Sequence, residues 1–177
     1  KKMFNTKDKN KKANQLLYIF SFIGIIPLII IFTIYINNSQ SPILHNLYIK
    51  TESLHAITSA YNPVMTKLMA TYNKSAPILG IVLFICSFKL RELNKKIDKN
   101  TIIKSCFFGP VFYAIYIYIT IFYNLELTAS RGFFRMMAYN NFALLILYTG
   151  IYFTTLTLTY SILLIPLMTF RFLKGRQ

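Results

Sequence analysis

Residues 16–36 read Leu-Leu-Tyr-Ile-Phe-Ser-Phe-Ile-Gly-Ile-Ile-Pro-Leu-Ile-Ile-Ile-Phe-Thr-Ile-Tyr-Ile, with no charged side chain anywhere in the run. As a helix this stretch rises about 31 Å, the thickness of a bilayer's hydrocarbon core. The absence of charge extends from Ala13 to Ile49. Ser105–Tyr123 and Asn141–Phe170 are likewise uncharged, and a fourth apolar run covers 68–88. Lys74 lies inside that last run, so its helix must begin earlier and carry the ammonium towards the interface. The expectation is an all-α membrane protein with four transmembrane helices, at about 16–36, 68–88, 105–123 and 141–170. A basic segment precedes the first run, as in a secretory leader. That run is longer than a leader's apolar core, however, and Asn37-Asn38-Ser39-Gln40-Ser41-Pro42 offers no small-x-small cleavage site. A retained helix is expected.

The cations supply the orientation. The chain has 20 Lys and Arg against 5 Asp and Glu, a net charge of +15. Six Lys fall in 1–12, five Lys and one Arg in 89–104, and two Arg and one Lys in 171–177. Only Lys50, Lys67, Lys74, Arg131 and Arg135 lie elsewhere. Cationic loops resist translocation, so both termini and the 89–104 loop are predicted to be cytoplasmic, with periplasmic loops at 37–67 and 124–140. The result is an antiparallel up-down bundle forming a single membrane domain, 1–177. The same placement accounts for +15 without nucleic acid as a partner; membrane lipids are the natural counterpart.

Several chemistries lack their residues. There is no glycine-rich phosphate loop, no paired catalytic acids and no Ser/His/Asp set, so neither an enzyme nor a cofactor is expected. His45 and His55 have no partner Cys or clustered acids, which leaves no metal site. Cys86 and Cys106 fall near the predicted cytoplasmic ends of the second and third spans, a reducing location where a disulfide is not expected. No carboxylate lies within a predicted span, which counts against a small transporter or ion-pathway subunit, the chief rival reading. A structural or assembly factor of a membrane complex is a second rival.

Polar positions inside the spans fall into stripes. Gly109, Tyr113, Tyr116, Thr120 and Tyr123 share one face of the third helix, and Gly150, Thr154, Thr157 and Ser161 share one face of the fourth. Ala76 and Gly80 add a small-x-x-x-small pair. Small and hydroxylated residues let membrane helices approach and hydrogen-bond, either within the bundle or towards another membrane helix. Lys67 and Lys74, seven apart on one face, point to headgroups or to an acidic partner. In the first external loop Leu47, Leu54, Ile57 and Tyr61 recur at near-helical spacing, compatible with a surface helix or with a plain loop. Pro63 is placed to open the next helix and Pro77 to kink it. In the second external loop Glu126 can pair with Arg131 in an interfacial turn, or the Phe and Arg residues can form a recognition surface.

Further stretches carry a resemblance. Residues 7–14 read KDKNKKAN, 24–28 GIIPL, 57–66 ITSAYNPVMT, 72–77 YNKSAP, 122–128 FYNLELT and 174–177 KGRQ. Taken in order, from residue 7 to the end, they resemble the immunity proteins of pore-forming colicins of the A type. The resemblance implies a four-span protein of the bacterial inner membrane with cytoplasmic termini and no enzymatic activity. Its implied role is to bind the pore-forming domain of a cognate A-type colicin in that membrane and prevent the channel from opening, protecting the producing cell. Candidates for contact with such a toxin are Tyr113, Tyr116, Thr120, Thr154 and Thr157 within the bilayer. At the outer surface the candidates are Tyr61, Asn62, Lys74, Glu126, Arg131 and Arg135.

Overall fold

The computed structural model describes residues 2–92 and 99–174; residues 93–98 of the basic connection and the last three residues lie outside the described ones. The chain is mostly helical. Helix α1 spans Lys2–Asn37, α2 Pro42–Thr51, α3 Pro63–Asn73, α4 Ala76–Ser87, α5 Lys99–Ile117, α6 Phe133–Ala138 and α7 Asn141–Lys174. Four helical stretches are long and apolar enough to cross a bilayer: Asp8–Asn37, Pro63–Ser87, Lys104–Phe122 and Asn141–Arg171. The expected number of long apolar helices is present: the first begins eight residues before 16, the second five before 68, and the other two agree with 105–123 and 141–170 to within one residue.

The second span is two half-helices. Pro63 sits in the first turn of α3, where its missing N–H costs nothing, and Pro77 does the same for α4. Pro77 therefore starts a helix instead of kinking one, and the interruption falls at Lys74–Ser75. At the end of the third span the helix widens into a π-helical turn, Tyr118–Phe122, before the chain becomes extended at Tyr123.

Helix α7 is the axis of the molecule: α1, α3, α4 and α5 all pack on it. Its buried stripe is Leu144, Tyr148, Tyr152, Thr155, Leu156, Thr159 and Tyr160, the three-to-four spacing of a single helical face. Close approach on the α1 and α4 sides depends on glycine. A Cβ at Gly24 would lie 2.4 Å from the Tyr152 ring, and one at Gly80 would lie 2.9 Å from the Leu156 carbonyl oxygen. Tyr72 stacks on Tyr152 with centroids 5.3 Å apart and donates its hydroxyl to the Gly24 carbonyl at 2.9 Å.

One departure from an all-α fold lies in the loops. Ile57–Thr58 (β1) and Leu125–Glu126 (β2) pair as a two-stranded parallel ladder joining the two loops. Ile57, for which a surface helix and a plain loop were both open, belongs to this ladder, and between α1 and α3 the helical segment is Pro42–Thr51. The hydrogen bonds between Ala56 and Leu125 and between Thr58 and Leu127 close at 3.3 and 2.8 Å. Contacts at the opposite end gather the N-terminal helix, the start of the basic connection and the end of α7. Lys9 pairs with Glu92 at 2.6 Å, and Arg171 donates to the carbonyls of Phe88 and Arg91 at 3.0 and 3.1 Å.

Candidate partner-binding surface

The loop end is a plate built on buried polar groups. Unpaired backbone groups next to hydrocarbon are costly, so each short strand needs side-chain partners. Asn124 Oδ1 accepts from the Ala56 N–H at 2.8 Å, while its Nδ2 meets His55 Nδ1 at 2.9 Å. Tyr148, rising from α7, donates to the Ile57 carbonyl at 2.7 Å. Ser59 donates to the Ala138 carbonyl at 2.9 Å, tying the first loop to α6.

Glu126 is the hub. Its Oε1 accepts from the Ala60 N–H at 2.8 Å and from the Thr128 hydroxyl at 2.6 Å, and Oε2 accepts from Thr58 at 3.2 Å. Partial burial pushes its pKa up, but the bonds from Thr128, Ala60 and Thr58 outweigh this and hold it below the usual carboxylate range. The expected Glu126–Arg131 pair is not formed. The carboxylate is turned into the plate, and Arg131 is exposed with no partner among the described residues.

The plate presents a small aromatic and cationic patch. Tyr61 packs on Tyr139 with ring centroids 4.2 Å apart, and Arg135 Nε approaches the Tyr139 hydroxyl at 3.5 Å. The hydrogen bond from Arg135, followed by that from Tyr61, lowers the Tyr139 pKa. Phe133 and Met136 on α6 are exposed beside it. Gly132 makes the turn into α6 with φ +64°, a backbone region that side chains disfavour. Tyr139 was not singled out by sequence, because nothing in its spacing marks it; the ladder and the Ser59 bond to the Ala138 carbonyl bring 61 and 139 together.

The other residues separate into groups. Asn62 is buried, caps α3 with its carbonyl and accepts the Tyr35 hydroxyl at 2.9 Å, so its side chain is engaged inside the plate. Tyr113 bonds Thr159 at 2.8 Å and Tyr116 bonds Thr155 at 3.1 Å, so the α5 stripe packs on α7. Thr120 bonds its own helix, at the Tyr116 carbonyl, and Tyr123 is exposed. The α7 stripe does not line the interior. Gly150 and Thr154 are exposed, Thr157 caps the Phe153 and Thr154 carbonyls, and a Cβ at Gly150 would meet nothing within 4 Å. The interior threonines are Thr155 and Thr159, one and two positions away from that register. Lys67 is tied down by the Glu52 and Leu54 carbonyls, whereas Lys74 sits half-buried at the α3–α4 break.

These features define a small helical protein with four apolar helices and a polar plate joining two loops at one end. Residues 40–177 match the colicin immunity protein family, and the chain belongs to that family of inhibitor-type proteins, which are not enzymes. It is 55% identical over 175 residues to the colicin-B immunity protein of Escherichia coli, covering 99% of this chain and 100% of that one. It is 43% identical over 168 residues to the colicin-A immunity protein of Citrobacter freundii, covering 95% and 94% of the two chains. No solved structure matches.

Proposed function

We propose that the protein protects a colicin-producing bacterium by binding the pore-forming domain of the cognate colicin in the inner membrane and holding its channel shut. Similarity to two colicin immunity proteins over nearly the whole chain carries this reading. In this reading the four helices form an antiparallel bundle whose termini and basic connection are cytoplasmic. The ladder and the Tyr61–Tyr139–Arg135 patch then face the periplasm, the side from which a toxin arrives. The charge tally supports this sidedness: fifteen of the twenty cations lie in the terminal and 89–104 segments.

Little energy is needed. Moving one charge across 100 mV is worth about 2.3 kcal/mol, so modest preferential binding to the closed state holds a voltage-driven channel shut. Interhelical hydrogen bonds in lipid, about 0.6–1.7 kcal/mol each, are of the right size. Expression in a sensitive strain, followed by challenge with colicins B and A, tests the reading. Protection against at least one is expected, and unchanged sensitivity to both and to other pore-forming colicins of their type refutes it. Reversing Arg131 and Arg135 together should weaken protection without lowering membrane abundance if the plate contacts the toxin.

A further inference from the structure

At the end of the bundle opposite the ladder, two arginines are anchored to one turn of chain. Arg171, near the end of α7, donates through Nη1 to the carbonyls of Phe88 and Arg91 at 3.0 and 3.1 Å, where the chain leaves α4. Arg91 itself donates through Nε to the Tyr160 hydroxyl at 2.8 Å and lies over the Tyr160 ring, 5.7 Å from its centroid. Capping the end of α4 accounts for one amino group of Arg171 and no more. Each guanidinium keeps one complete donor edge. Nε and Nη2 of Arg171, and Nη1 and Nη2 of Arg91, have no hydrogen-bond partner among the described residues.

The two like charges also lack an acid. Among the described residues the ion pair is Lys9–Glu92, and neither arginine takes part in it. Planar guanidinium edges donate in pairs to phosphate oxygens, and two of them fixed on one turn match an oxyanion better than a mobile lysine does. The surface beside them is apolar. Phe170 directly precedes Arg171 and Ile85 lies one turn before Phe88, and they are 64% and 60% exposed. Both belong to helices long and apolar enough to cross a bilayer. A free anion would use the cations alone, whereas a phospholipid uses the cations and the apolar flank together.

We infer that Arg91 and Arg171 form a headgroup site for an anionic phospholipid, with the phosphate on the two open guanidinium edges and the acyl chains along the exposed side chains of α4 and α7. The bound lipid offsets the repulsion between the arginines and ties together the ends of the two helices. The site is independent of colicin binding. The test uses the full chain purified in a neutral detergent, with phosphatidylglycerol, phosphatidylcholine or inorganic phosphate added. Native mass spectrometry reads the lipid retained, and the melting temperature reads stabilisation.

Phosphatidylglycerol should be retained about tenfold over phosphatidylcholine, the scale of a charge-assisted hydrogen bond, and should raise the melting temperature. Inorganic phosphate should not raise it. R91Q/R171Q should lose the preference, whereas K11Q/K12Q, which removes the same two charges from exposed positions on α1, should keep it. R171K retains the charge and a capping donor but not the fork, and should lose the preference several-fold. It decides the matter if R91Q/R171Q fails to fold. Equal losses in R91Q/R171Q and K11Q/K12Q would reduce the effect to diffuse electrostatics and overturn the site. Equal stabilisation by inorganic phosphate would overturn the lipid assignment, and an unchanged preference in R171K would overturn recognition by the guanidinium edge.

Discussion

Helices α4 and α5 both pack on α7, but by different means. The α4 seam is mainly steric: Gly80 brings the backbones together, Leu83 and Leu156 are buried along it, and a single hydrogen bond, from Ser87 to the Tyr160 hydroxyl at 3.2 Å, crosses it. The α5 seam is polar. No described side chain of α5 is buried, and its attachment is made by the tyrosine hydroxyls of Tyr113 and Tyr116 on Thr159 and Thr155. In lipid there is no hydrophobic gain from bringing two apolar helices together, so close packing and hydrogen bonds decide how tightly they hold. One seam is a fixed part of the bundle, the other a lightly bonded flank.

The largest effect should come from filling the tight seam. Gly80→Leu drives a side chain into the Leu156 carbonyl and the Thr159 Cβ, both 2.9 Å from where even a first carbon would lie. Overpacking costs about 1–3 kcal/mol or more, and here backbone cannot give way. Membrane abundance and the melting temperature in detergent should both fall sharply. Gly150→Leu, on the open face of the same partner helix, is the control and should change neither measurably. Equal losses in both variants would mean that α7 is not oriented as described.

The next effect belongs to the plate. Tyr148→Phe removes the donor to the Ile57 carbonyl and leaves that carbonyl buried and unsatisfied beneath the ladder. A loss of about 1–3 kcal/mol is expected, read as a lower midpoint in SDS unfolding and as faster proteolysis in the 56–62 segment. An unchanged midpoint would show that the ladder does not depend on α7.

The contrast between the seams also explains what sequence could reveal. Four long apolar helices were legible because an uncharged run of bilayer length has few other uses, and the cation tally suggested a sidedness. The α5 stripe was legible because tyrosines at helical spacing had to face something polar. The α7 stripe was open between the bundle interior and another membrane helix: threonines occupy both 154/157 and 155/159, and periodicity cannot say which register is inside. The ladder was invisible, since two residues in each loop carry no alternation to detect. For Glu126 a pair with Arg131 was one of two readings; four neighbouring backbone and hydroxyl donors outcompete one exposed guanidinium.

Glu126→Gln should cost about 1 kcal/mol, because the amide keeps one acceptor oxygen but replaces the other with a donor facing donors. The sign with pH follows from its depressed folded pKa. The stabilisation is fully present above the unfolded carboxylate value, about 4.3, and is lost as pH falls through the lower folded value. Unfolding midpoints measured from pH 7 downwards should therefore converge for wild type and variant at acid pH. A gap that persists there would assign the effect to packing and not to charge.

The smallest effect tests the α5 seam directly. Tyr113→Phe and Thr159→Val each remove one side of a 2.8 Å hydroxyl contact, and the double variant closes a thermodynamic cycle. Hydrogen bonds between membrane helices average about 0.6 kcal/mol because the separated helices find other partners. A coupling near that value is expected, several-fold smaller than the Gly80→Leu loss and without a fall in abundance. Thr159 also lies against Gly80, so the cycle separates its two contacts: the single Thr159→Val variant reports both seams, and the coupling with Tyr113 reports α5 alone. A coupling above about 2 kcal/mol would make α5 as firmly held as α4 and erase the distinction between flank and core. A coupling of zero would leave α5 held by packing and by the Tyr116 hydroxyl on Thr155 and the Ile151 carbonyl.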